Sequence, residues 1–317
     1  MSGHVVALSG GVGGAKLAHG FARVLAGEDL SIIVNTADDF QHLGLSVSPD
    51  IDSVIYALAG LSDPVRGWGR RDETWTFMGA LAGLGGETWF QLGDADLALH
   101  VERSWRLAAG EPLSAVTDRI RRHLGVEARI LPMSDDPVRT RVHTDAGWLD
   151  FQEYFVHRRC EPRVRALEYA GAERARVGAE ALAALQRPDL RAVVICPSNP
   201  FLSIEPMLAL PELRAALERT AAPLVAVTPI IGGQAVKGPA AKMLRELGFE
   251  ASSAAVARRY AGLVDLFVSD AADPEPEPVP GMRFAREPTL MSSMDDRERL
   301  ARAVLNLADR AAGDLMS

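Results

Sequence analysis

The residues best able to do chemistry lie in three polar clusters near the N-terminus. The first, Ser9-Gly10-Gly11-Val12-Gly13-Gly14-Ala15-Lys16, interrupts the apolar run from His4 to Leu8 and precedes a helical pattern at Leu17, Ala18, Phe21 and Leu25. Strand, tight loop and helix in that order make a phosphate-type loop. Glycines let backbone N–H groups approach an anion closely, and a helix N-terminus presents free donors. Gly10, Gly11, Gly13, Gly14 and Lys16 are therefore expected to contact a nucleotide. Two familiar motifs are not met. A Walker A loop ends in Gly-Lys-Ser/Thr, whereas Lys16 stands between Ala15 and Leu17. The dinucleotide fingerprint wants a third glycine where Lys16 sits.

The other two clusters are acidic: Asn35-Thr36-Ala37-Asp38-Asp39 and Ser48-Pro49-Asp50-Ile51-Asp52. Mg²⁺ prefers hard oxygen ligands, often one or two carboxylates with substrate phosphate oxygens. Asp38 or Asp39 and Asp50 or Asp52 can converge on such an ion if both segments border one cleft. Helix capping accounts for one aspartate of the second cluster, not for both. Asp94 and Asp96 repeat the Asp-x-Asp spacing, but residues two apart on a helix do not share a face. Lys237 in Val236-Lys237-Gly238-Pro239 is a further phosphate candidate. His100, His123, His143 and His157 have no metal-ligand spacing and are read as surface or packing residues. No nucleophile elbow occurs, so a covalent serine or cysteine intermediate has no support.

The elements that must position these clusters read as α/β. Leu30 to Val34 follows the first helix as a second strand, which makes a βαβ unit. Ala128–Leu131, Ala192–Cys196, Leu224–Thr228 and Leu263–Val268 continue the strand pattern. The expected fold is a Rossmann-like open, mostly parallel sheet with flanking helices. It forms a single domain over 1–317, with a mainly helical insertion or lid at about 53–127. A hairpin is expected over Arg141–Phe151, and a last helix over about Asp295–Ala312. The strands end in polar or glycine-rich clusters, including Ser134 to Asp136, Ser198-Asn199 and Gly232-Gly233, and in a parallel sheet those ends share one edge.

Composition narrows the partners. A net charge of −8 without a long basic run gives nucleic acid little electrostatic support. Cys160 and Cys196 lie far apart without a CxxC, which argues against a zinc or redox site. No apolar run approaches the ~20 residues needed to span a bilayer. The N-terminal sequence enters a strand directly, and the expectation is a cytoplasmic protein.

The three clusters, together with Arg66-Gly67-Trp68-Gly69, Leu92-Gly93-Asp94-Ala95-Asp96, Leu131-Pro132-Met133-Ser134-Asp135-Asp136, Phe151-Gln152-Glu153, Pro197-Ser198-Asn199-Pro200 and Pro229-Ile230-Ile231-Gly232-Gly233, resemble the 2-phospho-L-lactate transferase family of coenzyme F420 biosynthesis. The motifs come in family order along nearly the whole chain. The resemblance implies Mg²⁺-dependent transfer of a phosphorylated three-carbon acid (phospholactyl, phosphoenolpyruvyl or phosphoglyceryl) from its guanosine diphosphate derivative. The acceptor is the terminal ribityl hydroxyl of the deazaflavin Fo, and GMP is released. It implies Asp38 and Asp52 as catalytic and metal positions, and Asp52, Asp39, Gln91 and Asp94 as Fo contacts. The glycine loop with Ser134, Asp135, Ser198, Asn199 and Lys237 would contact the nucleotide, and a homodimer is implied too. Gln91 departs from the pattern, because archaeal members carry a basic residue there.

Two other classes compete. A related family of gluconeogenesis and cell-shape factors shares the opening loop and gives a non-catalytic, nucleotide-sugar-binding regulator. Its members lack the Ser198-Asn199-Pro200 signature. A dinucleotide-dependent oxidoreductase is disfavoured by the missing third glycine.

Overall fold

Strand β1 (His4–Ser9) is buried at every position, so its sequence shows no polar alternation. The structure, a computed structural model, describes residues 3–235 and 238–315. In chain order, α1 (Gly11–Val24) and β2 (Leu30–Val34) complete the first βαβ unit, and the hairpin β3 (Phe40–His42) and β4 (Leu45–Val47) leads into α2 (Pro49–Leu58). Helices α3 (Thr76–Gly83), α4 (Asp94–Ala108) and α5 (Leu113–His123) follow before β5 (Arg129–Pro132). Strands β6 (Arg139–Thr144), β7 (Gly147–Asp150) and β8 (Val164–Ala170) form a separate antiparallel sheet. Next come α6 (Ala179–Leu185), β9 (Leu190–Ile195), α7 (Glu205–Leu208), α8 (Pro211–Arg219), β10 (Leu224–Val227) and the short pair β11 (Ile230–Ile231) and β12 (Gln234–Ala235). The chain ends with α9 (Ala240–Glu246), α10 (Ser253–Arg259), β13 (Leu266–Asp270), β14 (Arg283–Glu287) and α11 (Met294–Leu315).

The central sheet has seven strands in the order β14-β13-β10-β9-β1-β2-β5, and every pair in it is parallel. Its two faces carry two cores, and alternate residues of β1 enter them. Val6 and Leu8 join one core, and Val5 and Ala7 join the other with α1, α2 and α11. The chain runs outward from β1 through β2 to β5, then returns to β9 beside β1 and runs outward the other way. The order therefore reverses between β1 and β9, and in open α/β sheets the crevice at that reversal, beyond the strand ends, takes ligands.

Two expectations shift in detail. The helical 53–127 stretch is the crossover that parallel β2 and β5 require. Val54 and Ile55 of α2 and Val116 of α5 belong to the core, whereas Met78 is the buried residue of α3. The 141–151 hairpin gains a third strand, β8, and the sheet gains an edge strand, β14. Among the described residues no helix is long and apolar enough to cross a membrane.

One packing detail gives a stability prediction. His19 of α1 is buried, and its Nδ1 accepts from Arg297 Nη1 of α11 at 3.2 Å. Burial, with the Arg297 and Arg23 charges, lowers its pKa to about 4. The unfolded chain then binds more protons between about pH 6.5 and pH 4, so stability falls as pH drops through that window. Chemical denaturation at pH 7 and pH 5 is expected to show a loss about 2 kcal/mol smaller in His19→Gln than in the parent. Equal losses in both proteins would refute this account.

Candidate active site

At the crevice between β1 and β9, the glycine loop and the segment after β9 hold each other. Gly10 caps α1 with its backbone extended, and Ser198 Oγ accepts from Gly10 N (3.2 Å) and donates to Gly10 O (3.0 Å). A Cβ on Gly13 would stand 2.5 Å from the Pro197 carbonyl oxygen, and one on Gly10 would stand 2.7 Å from Asp50 Oδ2. Gly14 faces Ser9 and Ser198 equally closely and lies behind the cavity wall, not in it. Close packing of the loop thus requires Gly10, Gly13 and Gly14, Gly11 adopts a left-handed φ of 52°, and Gly10 to Gly13 stand in the wall of the crevice. Lys16 Nζ donates to Met291 O at 2.9 Å and ties the first turn to the segment before α11. Asn199 Oδ1 accepts from Phe201 N (3.0 Å) and Leu202 N (3.3 Å), so this side chain caps the 200–204 turn.

Beyond β2, Asn35 is fully buried and donates to Asp50 Oδ2 (3.0 Å) and Leu202 O (3.2 Å), while its Oδ1 accepts from Ala37 N. It pins Asp50 against the loop. Asp38 faces the same space, and its Oδ1 is buried without a partner. Burial and the Asp50 charge raise the Asp38 carboxyl well above the usual range. Burial lifts Asp50 to about 6, against the opposing hydrogen bonds from Asn35 and Gly11. Asp39 lies behind the wall, accepts from Ser48 Oγ at 2.8 Å, and is lifted by burial to about 7.

Asp52 is committed elsewhere. Arg103 of α4, fully buried, donates from Nη1 to Asp52 Oδ2 (3.0 Å) and from Nη2 to Asp52 Oδ1. Burial opposes the Arg103 charge, and the Asp52 carboxylate more than offsets this, raising the guanidinium pKa. His100 stands 3.4 Å from Arg103 Nη1 through Nδ1 and 3.3 Å from Asp96 Oδ2 through Nε2, and Tyr56 Oη donates to Asp96 Oδ1 at 2.5 Å. Although burial works against it, the His100 and Tyr56 contacts hold Asp96 below its ordinary range.

Asp38, Asp50, Asp52, Tyr56, Asp96 and His100 line one cavity of about 590 Å³, whereas Asn35, Asp39 and Arg103 are not in its wall. Its lining includes Gly10, Gly11, Gly13, Lys16, Ser198 and Asn199 of the two loops. Trp68, Trp89, Phe90, Phe151 and Phe155 line it too, and Trp89 stacks on His157 (5.1 Å) and Phe151 on Phe155 (5.2 Å). Gln91 is also in the wall, its amide donating to Thr88 O at 2.6 Å.

Other expected site residues are placed away from it. Asp94 accepts from Thr76 N and Phe77 N at the start of α3, and Asp96, two positions on, is the one that faces the cavity. Ser134 Oγ donates to Arg176 O (2.6 Å), and Asp135 accepts from Ser114 N and Oγ at the start of α5. Lys237 lies outside the described residues. Among the described residues no group of three or more His, Cys, Asp and Glu side chains is arranged to hold a metal ion. The sequence reading sets Asp96 beside Asp94, takes His100 for a surface or packing residue and does not name Arg103, although the three recur at four- and three-residue steps on one face of α4.

The family model for the 2-phospho-L-lactate transferase CofD matches residues 5–306. The chain belongs to this family. It is similar to a phosphoenolpyruvate transferase of Streptomyces griseus, 39% identical over 96% of this chain and 98% of the relative. It is equally similar to a 2-phospho-L-lactate transferase of Methanopyrus kandleri, 39% identical over 99% of this chain and 100% of the relative. In fold it matches a crystal structure of a UPF0052-family protein from Bacillus halodurans, with a TM-score of 0.61 at 15% identity over 96% of this chain and 99% of that one. As a member of the CofD family the protein is a transferase of the 2-phospho-L-lactate transferase type. The regulator and oxidoreductase readings fall away.

Proposed function

We propose that the protein moves a phosphorylated three-carbon acid from its guanosine diphosphate ester to the terminal ribityl hydroxyl of Fo and releases GMP. One observation carries this reading. A single cavity joins a helix N-terminus and buried carboxylates, suited to a diphosphate with a cation, to an aromatic wall suited to a planar ring. Relatives of equal identity are named for two different acids, so the donor acid is left to the assay.

A divalent cation fits the residues present. Asp38 has a buried oxygen without a partner, Asp50 lies close enough for its charge to raise Asp38, and burial lifts both carboxyls as expected where a positive ion is wanted. Asp38 and Asp50 would hold Mg²⁺, with Asp50 where the family resemblance implies Asp52 and the residues themselves leave either open. When bound, the ion supplies charge neutralisation at the diphosphate. The remaining work falls to the chain. The N–H groups at the start of α1 bind and orient the phosphates. The aromatic wall excludes water and sets the ring so that the ribityl hydroxyl meets phosphorus opposite the GMP oxygen. The new bond runs from that hydroxyl oxygen to the phosphorus bearing the acid, the bond to the GMP oxygen breaks, and the hydroxyl proton is released. No protein nucleophile is involved.

The test is incubation with Fo, Mg²⁺ and each guanylylated donor in turn, following GMP release and the mass of the deazaflavin product. Equimolar GMP and product with at least one donor is expected. Absence of product with all three would overturn the proposal.

A further inference from the structure

The geometry points to Arg103 as a positioning residue that reserves Asp52 for the acceptor and keeps it out of the cation site. The identity of that acceptor rests on the transferase reading above. Arg103 is wholly buried, and the fold brings it from α4 onto α2, 51 positions away in sequence. Its two terminal nitrogens take both oxygens of Asp52, and Nη1 also reaches His100 Nδ1 (3.4 Å) and Ser46 O (3.5 Å). A planar fork of this kind fixes the plane of the carboxylate. Each oxygen retains a lone pair able to accept from a ligand hydroxyl. A carboxylate that already shares its charge with a guanidinium is a poor ligand for a divalent ion, whereas Asp38 has an oxygen with no partner at all. The acidic cluster is therefore divided. Among the described residues no ion pair is made by Asp38 or Asp50, which face the loop, whereas Asp52 faces the same cavity paired with Arg103.

The competing account is an ion pair that merely holds α4 against α2. The two separate on cation binding measured without any substrate and on the split between kcat and KM. Mn²⁺ serves as the probe, its binding followed by electron paramagnetic resonance in the parent, Asp38→Asn, Asp52→Asn and Arg103→Lys. The double variant Asp52→Asn/Arg103→Gln is included because it strands no buried charge and so guards against simple misfolding. Mn²⁺ affinity is expected to stay within about twofold in Asp52→Asn, Arg103→Lys and the double variant, and to weaken about tenfold or more in Asp38→Asn. With Fo and the active donor, kcat is expected to fall about a hundredfold in these three variants while the donor KM holds. Loss of Mn²⁺ binding in Asp52→Asn equal to that in Asp38→Asn would overturn the proposal, as would parental turnover in the folded double variant. If no donor gives product with the parent, the transferase reading fails by itself, and the Mn²⁺ comparison still upholds or overturns the division of the cluster.

Discussion

An Asp38→Asn variant is expected to lose turnover on the order of a thousandfold while becoming more stable than the parent. Asp38 is buried, one of its oxygens has no partner, and both burial and the neighbouring Asp50 charge raise its carboxyl in the folded chain. The unfolded chain gives up that proton at ordinary carboxylate pH. Ionisation therefore favours the unfolded state, and the folded protein loses stability as pH rises above about 4. Asparagine keeps the shape, carries no charge, and its amide can donate towards Asp50. In calorimetry without metal, the variant should melt roughly 2 °C or more above the parent, with a gap wider at pH 8 than at pH 6. Mg²⁺ should raise the melting temperature of the parent by binding the folded state, and leave the variant unmoved. A variant less stable at both pH values, or one that responds to Mg²⁺ like the parent, would mean that Asp38 is a structural carboxylate.

This conflict between stability and function explains which parts of the site were legible in the sequence. Asp38, Asp50 and the glycine loop sit at strand ends or on the first turn of a helix, where local pattern fixes position, so the chain read in one dimension already places them on the ligand edge. The parallel strands were legible for a related reason, since Ala192–Cys196 and Leu224–Val227, buried on both faces, are uninterrupted apolar runs. Strand β8 was not, because Arg165 and Glu168 are exposed and its one buried residue is Val164. The partner of Asp52 was illegible for a different reason. Nothing in the sequence around Ser48 to Asp52 announces a guanidinium, and only the packing of α4 on α2 shows that both Asp52 oxygens are taken. Likewise Asp94 and Asp135 carry acidic side chains in motif-like contexts, yet each accepts from the free N–H groups of a nearby helix.

Gly13→Ala is expected to damage both the stability and the turnover of the protein. Its Cβ would meet the Pro197 carbonyl oxygen at 2.5 Å, and that oxygen belongs to backbone, which cannot swing aside as a side chain can. Neither side is free to retreat. Cys196 N is bonded to Leu8 O at 3.0 Å in continuation of the sheet, and Ser198 Oγ is bonded to both backbone atoms of Gly10. To admit the methyl group, α1 and the 196–199 segment must part. The Ser198 bonds break, and the first turn shifts in the wall of the crevice. Overpacking of this kind costs about 1–3 kcal/mol, and misplacing the loop by even an ångström costs on the order of a hundredfold in turnover. The informative control is Gly79→Ala, on exposed α3, where an added Cβ meets nothing within 4 Å. There alanine should stabilise the protein by roughly 0.5–1 kcal/mol, through helix propensity alone. Urea denaturation and calorimetric titration with GDP on the two variants decide the matter. If Gly13→Ala keeps the parent's stability and GDP affinity, the loop's glycines answer to something other than its contact with the β9 tail.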